Sequence, residues 1–190
     1  MIFGLLIPDA LTSAFDSAGQ RCSASRVLYV QDVVADKVIG MLGGAMDELT
    51  VGDPALLSTD VGPVIDDDAL KMLQAHAARM DKQAKLIREV KLPEACAHGT
   101  FFAPRAYEIA SLAVLEREVF GPVLHVVRWK AGELDKVIDQ VNATGYGLTL
   151  GIHSRIDETV DYILRTSGLA EAPAVAPCPA RCPHCQERGY

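Results

Sequence analysis

Segments with the residue pattern of β-strands alternate along this chain with segments whose apolar residues recur at helical spacing. Val123–Trp129 is rich in valine, which predicts a buried strand. Leu134, Val137, Ile138 and Val141 follow at the i, i+3, i+4, i+7 spacing of one helix face, and that helix should stop near residue 144. Strands that alternate with helices in this way predict an α/β fold with a largely parallel sheet flanked by helices.

The same alternation runs through the rest of the chain. A buried strand is expected at Arg26–Val30, and further strands are expected at Lys85–Val90, Phe101–Ala103 and Leu148–His153. A short helix is expected over Ala10–Ala18, and a second helix begins at Asp32 with the apolar face Val34, Val38, Met41, Leu42 and Ala45. A third follows Asp66–Asp68 and has the face Leu70, Leu73, Ala77 and Met80. A fourth follows Ser154 and has the face Ile156, Val160, Ile163 and Leu164. His76 lies off its helix's stripe and is expected to face solvent, whereas His125 lies within a strand and is expected to be structural.

Composition excludes several classes of partner. The chain has 190 residues and a net charge of −7, and its acidic residues are scattered. Nucleic acids and anionic membranes call for clustered Lys and Arg, so neither is expected as a partner. No apolar run approaches bilayer length. Five cysteines, an odd number, do not make a disulfide framework, which favours a reducing cytoplasm over secretion.

The composition changes after residue 168. Residues 169–190 hold four of the ten prolines and three of the five cysteines. We therefore expect one domain over 1–168 and a disordered tail over 169–190. Four tail residues could bind zinc, namely Cys178, Cys182, His184 and Cys185. Structural zinc sites usually combine two separated clusters, so no metal site is predicted from this single cluster.

Cys22 is the leading candidate for a nucleophile. It lies in the turn Gly19–Ala24 between a predicted helix and a predicted strand, and Gly19 permits a sharp bend. The neighbouring Arg21 favours the thiolate, which is the reactive form of cysteine. The alternative is a buried core cysteine, and on local chemistry alone that alternative is slightly favoured.

A second candidate segment is Glu116–Val123. Glu118 supplies a carboxylate that can accept both hydroxyls of a ribose, and Phe120 could pack against a flat ring. On local chemistry, a solvated glutamate and a core phenylalanine are the favoured alternative.

Three sequence blocks together indicate a family. Gly19–Ala24 (GQRCSA) resembles the nucleophile motif of the aldehyde dehydrogenase superfamily, and Glu118–Val123 (EVFGPV) resembles its second signature. Tyr146–Arg155 (YGLTLGIHSR) resembles a third block, most similar to the glutamate γ-semialdehyde (1-pyrroline-5-carboxylate) dehydrogenase domain of bifunctional proline-utilisation proteins. The resemblance covers roughly Pro8 to Thr166.

The resemblance implies a role for five residues. Cys22 would attack the aldehyde and form a thiohemiacetal and then a thioester. Glu118 would hold the ribose of the cofactor NAD, and Phe120 would pack beside its nicotinamide. Arg21 and Ser23 would bind the carboxylate of the aldehyde substrate.

The same resemblance sets a limit on this chain. Family members carry an NAD-binding domain before the cysteine, but only 21 residues precede Cys22. We therefore expect the chain alone to be inactive, to bind NAD poorly and to self-associate. The alternatives are a non-catalytic remnant that pairs with a full-length relative, or a zinc-binding interaction module that uses the tail.

Overall fold

The computed structural model describes residues 3–168 and a short strand, Ala174–Val175. The chain divides into two compact units, one of which is Ile7–Leu134 and the other the remainder. Within the described residues, no helix combines the length and apolarity needed to cross a membrane.

The first unit contains a four-stranded sheet. Its helices are α1 (Phe3–Phe15, shared with the second unit), α2 (Asp32–Asp47) and α3 (Asp67–Gln83), and its strands are β1 (Val27–Gln31), β2 (Lys85–Glu89), β3 (Arg105–Ile109) and β4 (Val123–Trp129). The spatial order is β1-β4-β3-β2, in which β4 is parallel to both β1 and β3, and β2 is antiparallel to β3. The predicted α/β fold with a largely parallel sheet is confirmed.

Strand β4 occupies the interior of this sheet. Its first five residues, Val123 to Val127, are all buried, as expected for a parallel strand covered on both faces. His125 lies opposite Val27 on one neighbour and Tyr107 on the other. The valine-rich pattern therefore identified a central strand and also placed a histidine in the core.

The helices follow the apolar spacing of the sequence with local differences. The buried side of α2 consists of Ala35, Val38, Leu42, Gly43 and Met46, whereas the predicted face member Met41 is exposed. Helix α3 is capped by the Asp66 carboxylate, which accepts a hydrogen bond from the Ala69 amide at 2.8 Å.

Three strand predictions need correction. The backbone of Phe101–Ala103 is not a strand, and the strand begins instead at Arg105, immediately after Pro104. Strand β1 is an edge strand and mostly half-buried, not the buried strand predicted over Arg26–Val30. The strand predicted over Leu148–His153 is reduced to two residues.

His76 was also predicted wrongly. Its exposed fraction is 5%, and it belongs to the buried side of α3 together with Leu73, Ala77 and Met80. These four positions keep the spacing of a single helix face, so the true stripe includes the histidine.

The second unit contains two helices and a strand pair. Its elements are α4 (Leu134–Ala143), β5 (Leu150–Gly151), α5 (Asp157–Thr166) and β6 (Ala174–Val175), with β5 parallel to β6. The Asn142 side chain donates to the Thr166 carbonyl at 3.1 Å and links α4 to α5. The stripe predicted for α5 is not buried, because Ile156 is 59% exposed and Leu164 is 38% exposed. Apart from β6, the predicted disordered tail lies outside the described residues.

Candidate functional site

The turn that carries Cys22 has an unusual backbone. Ser17, Ala18 and Gly19 have φ values of 54°, 53° and 64°, all in the left-handed region. This conformation costs a residue other than glycine roughly 1–2 kcal/mol, so Ser17 and Ala18 are strained. The strained turn directs the chain from the end of α1 towards β1, and a hydrogen bond from the Ser25 amide to the Ser13 carbonyl (2.9 Å) closes it.

The turn presents the predicted nucleophile to solvent. Cys22 is exposed, which rules out the alternative of a buried core cysteine. Ser23 is exposed beside it. Arg21 forms an ion pair with Asp16 at 3.6 Å, and about half of each side chain is exposed. Such exposed pairs are weak, so the Arg21 guanidinium can exchange this partner for another carboxylate.

The second predicted segment lies directly against this turn. The Gly121 amide donates to the Gly19 carbonyl at 3.3 Å. A Cβ on Gly19 would overlap the Gly121 carbonyl, and a Cβ on Gly121 would overlap the Leu73 side chain. Glycine at position 19 is therefore required for the two motifs to approach so closely, and glycine at position 121 allows the second motif to pack against Leu73 of α3. The structure thus brings the segments of Cys22 and Glu118 together, 96 positions apart in the sequence.

Glu118 and Phe120 are both accessible at this junction. The Glu118 side chain is 27% exposed, and Phe120 is 39% exposed. A half-exposed carboxylate next to an exposed ring suits the predicted contacts with a ribose and a nicotinamide. The predicted alternative of a core phenylalanine is not what the structure has.

Arg26 joins the two segments, a role that was not predicted from the sequence. Its guanidinium donates to the Gly19 carbonyl at 2.6 Å, to the Arg21 carbonyl at 3.0 Å and to the Glu118 carboxylate at 3.3 Å. It also lies over the Phe120 ring, 4.6 Å from the centroid. Burial lowers the pKa of Arg26, and the hydrogen bond and charge of Glu118 oppose that effect. Since arginine stays protonated in proteins, the site holds a fixed positive charge.

Gln20 holds the turn from another side. Its side-chain oxygen accepts a hydrogen bond from the Ile65 amide at 2.8 Å, and its nitrogen donates to the Pro63 carbonyl at 3.5 Å. The residue was part of the recognised motif, but these two partners lie more than 40 positions away and could not be predicted from spacing.

Behind the turn lies a pair of buried histidines. Nε2 of His76 is 3.0 Å from Nε2 of His125, and Nδ1 of His125 is 3.0 Å from the Arg26 carbonyl oxygen. Arg79 approaches Nδ1 of His76 at 3.4 Å. Burial is the main cause that lowers the pKa of each histidine from 6.5 to about 4, so both rings are neutral at pH 7.

Cys96 provides a contrast to Cys22 within the same unit. It is buried, its thiol donates to the Val51 carbonyl at 3.7 Å, and burial raises the pKa of that thiol. Cys96 is therefore a packing residue. Among the described residues no group of three or more His, Cys, Asp and Glu side chains could hold a metal ion, and the cysteines of the tail lie outside them.

Comparison with known sequences identifies relatives of most of the chain. The sequence profile of the aldehyde dehydrogenase family matches residues 4–170. The bifunctional protein PutA of Klebsiella aerogenes is 49% identical over 160 residues, which are 82% of this chain and 12% of that protein. A 1-pyrroline-5-carboxylate dehydrogenase of Geobacillus sp. (strain WCH70) is 34% identical over 154 residues, 80% of this chain and 29% of that protein.

Solved structures give the same result. A mutant of proline utilization A (PutA) from Bradyrhizobium japonicum superposes with a TM-score of 0.82 at 48% identity, covering 86% of this chain and 16% of that one. An apo betaine aldehyde dehydrogenase from Staphylococcus aureus superposes with a TM-score of 0.81 at 24% identity, covering 88% and 34%. The second likeness concerns the fold alone. The chain therefore spans between about an eighth and a third of the length of these relatives.

Proposed function

The chain belongs to the aldehyde dehydrogenase family, and we propose that it is the nucleophile-bearing part of an NAD-dependent enzyme that oxidises glutamate γ-semialdehyde to glutamate. The observation that supports this most strongly is the contact between the turn of exposed Cys22 and the segment of Glu118 and Phe120. Two relatives, PutA and a 1-pyrroline-5-carboxylate dehydrogenase, indicate by their names which aldehyde is oxidised.

Cys22 carries out the covalent chemistry in this proposal. Its thiolate adds to the aldehyde carbon, so that a C–S bond forms and the carbonyl oxygen becomes an oxyanion. Loss of hydride from that carbon restores the carbonyl and leaves a thioester. Water then attacks the thioester, the C–S bond breaks, and the carboxylate product and the Cys22 thiol are released. The exposure of Cys22 gives both the aldehyde and the water access to the sulfur.

Glu118 and Phe120 are the residues that would hold NAD. When bound, NAD supplies the hydride acceptor for the oxidation. Each oxygen of the Glu118 carboxylate can accept a ribose hydroxyl, and the exposed face of Phe120 offers an apolar surface to a planar ring. Arg26 contacts Oε1 of Glu118, so the carboxylate is already oriented before a cofactor arrives.

Arg21 and Ser23 are proposed to bind the carboxylate at the other end of the substrate. Both are exposed beside Cys22. The ion pair between Arg21 and Asp16 is long, at 3.6 Å, and a substrate carboxylate could replace Asp16 with two parallel hydrogen bonds to the guanidinium. This contact would distinguish an aldehyde that carries a carboxylate from one that does not.

The proposed substrate can be tested by grafting. Residues 8–166 would replace the aligned stretch of the Klebsiella PutA relative, and NADH formation would be followed with glutamate γ-semialdehyde and with butanal, which lacks the carboxylate. We expect turnover of the semialdehyde, and we expect Arg21→Gln to lower its kcat/KM roughly tenfold while leaving that of butanal unchanged.

Two results would contradict the proposal. One is a graft that unfolds at the same temperature as its parent but does not oxidise the semialdehyde. The other is an equal effect of Arg21→Gln on both aldehydes, which would remove the carboxylate-binding role from Arg21. Lys71→Gln is the matched control, because Lys71 forms an exposed ion pair with Asp68 on α3.

A further inference from the structure

Arg26 uses both its side chain and its backbone to hold the site together. The guanidinium bonds to the carbonyls of Gly19 and Arg21 on either side of the bend, and also to Glu118. Its own carbonyl oxygen faces Nδ1 of His125, and the His125 amide donates to the same oxygen at 3.0 Å. Arg26 therefore connects the nucleophile turn, the Glu118 segment and the central strand β4.

The histidine pair behind Arg26 has one consistent arrangement of protons. Arg79 can only donate, so Nδ1 of His76 accepts and its Nε2 carries the hydrogen. Nε2 of His76 then donates to Nε2 of His125, which leaves the hydrogen of His125 on Nδ1. That hydrogen is donated to the Arg26 carbonyl. The hydrogen-bonded chain from Arg79 to Arg26 is thus complete and directional, with both rings neutral.

We propose that Arg26 is a positioning residue that fixes the turn of Cys22 against the segment of Glu118 and Phe120, and that His76 and His125 hold Arg26 in place from the core. The catalytic significance of this inference rests on the proposed function, since Arg26 acts through Cys22 and Glu118 and touches no reacting atom itself.

The geometry of the guanidinium is what suits Arg26 to this role. A planar fork can serve two carbonyls and a carboxylate at once. The side chain is only 14% exposed, and its bonds to Gly19 and Glu118 are partly buried. A lysine at this position would keep the charge but could not reproduce the fork. The strained residues Ser17 and Ala18 border the same turn, and strain of that kind persists only where surrounding bonds determine the conformation.

The test is hydrogen exchange on the purified full chain, resolved by residue. We expect Arg26→Gln to accelerate amide exchange roughly tenfold in both 19–24 and 118–121 while amides of β3 and β4 exchange at the wild-type rate. Arg26→Lys should give an intermediate acceleration. Arg88→Gln is the matched control, because Arg88 forms a more exposed ion pair with Asp47 at 3.2 Å and should change neither segment.

The histidine pair is tested with two variants at one position. His76→Gln keeps a donor near Nε2 and should leave exchange in 19–24 close to wild type, whereas His76→Leu removes the donor and should accelerate it. Unchanged exchange in both Arg26 variants would overturn the inference, and so would an increase spread evenly over the whole unit, since that indicates general destabilisation. If the His76→Leu variant does not fold, the Arg26 variants still test whether Arg26 positions the two segments.

Failure of the proposed function would show differently. In the wild-type chain, iodoacetamide labelling would be mapped to individual cysteines by mass spectrometry. If exposed Cys22 reacts no faster than buried Cys96, its assignment as nucleophile fails, whatever the exchange data say of Arg26. If Cys22 reacts faster than Cys96 and the Arg26 variants do not change amide exchange in 19–24, only the positioning role of Arg26 fails.

Discussion

Gly19 lies where the bend before Cys22, the end of α1 and the Gly121 carbonyl meet. Its φ of 64° suits glycine, and a Cβ there would lie 2.8 Å from the Ala14 carbonyl oxygen in addition to overlapping Gly121. We predict that Gly19→Ala lowers the free energy of unfolding by about 2 kcal/mol or more, since a left-handed alanine alone costs roughly 1–2 kcal/mol.

Gly40→Ala is the control for that substitution, measured in the same urea unfolding series. Gly40 lies within α2, and a Cβ there would meet nothing within 4 Å. Alanine is a better helix former than glycine, so the free energy of unfolding of this variant should be about 0.5–1 kcal/mol higher than that of the wild type. If the Gly19→Ala variant were as stable as the wild-type chain, the two motifs could not approach each other as closely as the structure has them.

At the residue scale, the sequence identified which side chains to examine but not what holds them. Cys22, Glu118 and Phe120 lie in recognisable blocks, and all three are exposed or half-exposed in one site. The role of Arg26 could not be predicted, because two of its bonds are to backbone carbonyls and the third is to a residue 92 positions away. Backbone partners leave no trace in sequence composition.

The histidine pair links α3 to β4 and makes the stability of the first unit depend on pH. Both pKa values are about 4 in the folded chain against 6.5 in the unfolded chain. At pH values between about 4 and 6.5, the two histidines bind protons in the unfolded state but stay neutral in the folded state. Stability from this pair is therefore fully present above pH 6.5 and is lost as the pH falls towards 4.

Urea unfolding at pH 7.0, 5.5 and 4.5 measures this effect. We predict that the free energy of unfolding falls as the pH is lowered, with a slope that approaches about 1.4 kcal/mol per pH unit for each histidine. This slope corresponds to about one proton that each ring binds on unfolding. His76→Gln, which cannot titrate, should reduce the slope between pH 6.5 and 5. A slope that is the same in the variant would mean that His76 is not buried in its neutral form.

Among the helices and strands, the spacing of apolar residues correctly predicted those features that depend on one segment of the chain alone. The bounds of β4 and α4 follow from spacing, and α2 begins at Asp32 as expected. Phe101–Ala103 was predicted to be a strand and is not one, although Phe102 and Ala103 are buried, because a buried apolar segment does not need to pair with the sheet. His76 was misplaced because the residue it packs against, His125, lies 49 positions away.

At the scale of the whole molecule, the site draws on separate parts of the first unit. The turn after α1 supplies Cys22, the loop before β4 supplies Glu118, and α3 supplies His76. Only the folded sheet brings these parts together, which is why the chemistry of each block alone favoured an ordinary structural residue. The family match covers residues 4–170, and that match together with the assembled site is the basis of the proposed activity.

Whether Cys22 is the nucleophile is tested by the turnover of glutamate γ-semialdehyde by the PutA graft when one cysteine at a time is replaced. We predict that Cys22→Ala lowers kcat roughly 10³-fold or more, while Cys96→Ala, which removes the buried thiol, leaves kcat within about twofold. If the Cys22→Ala graft retained turnover, Cys22 would not be the nucleophile, which would then have to lie elsewhere.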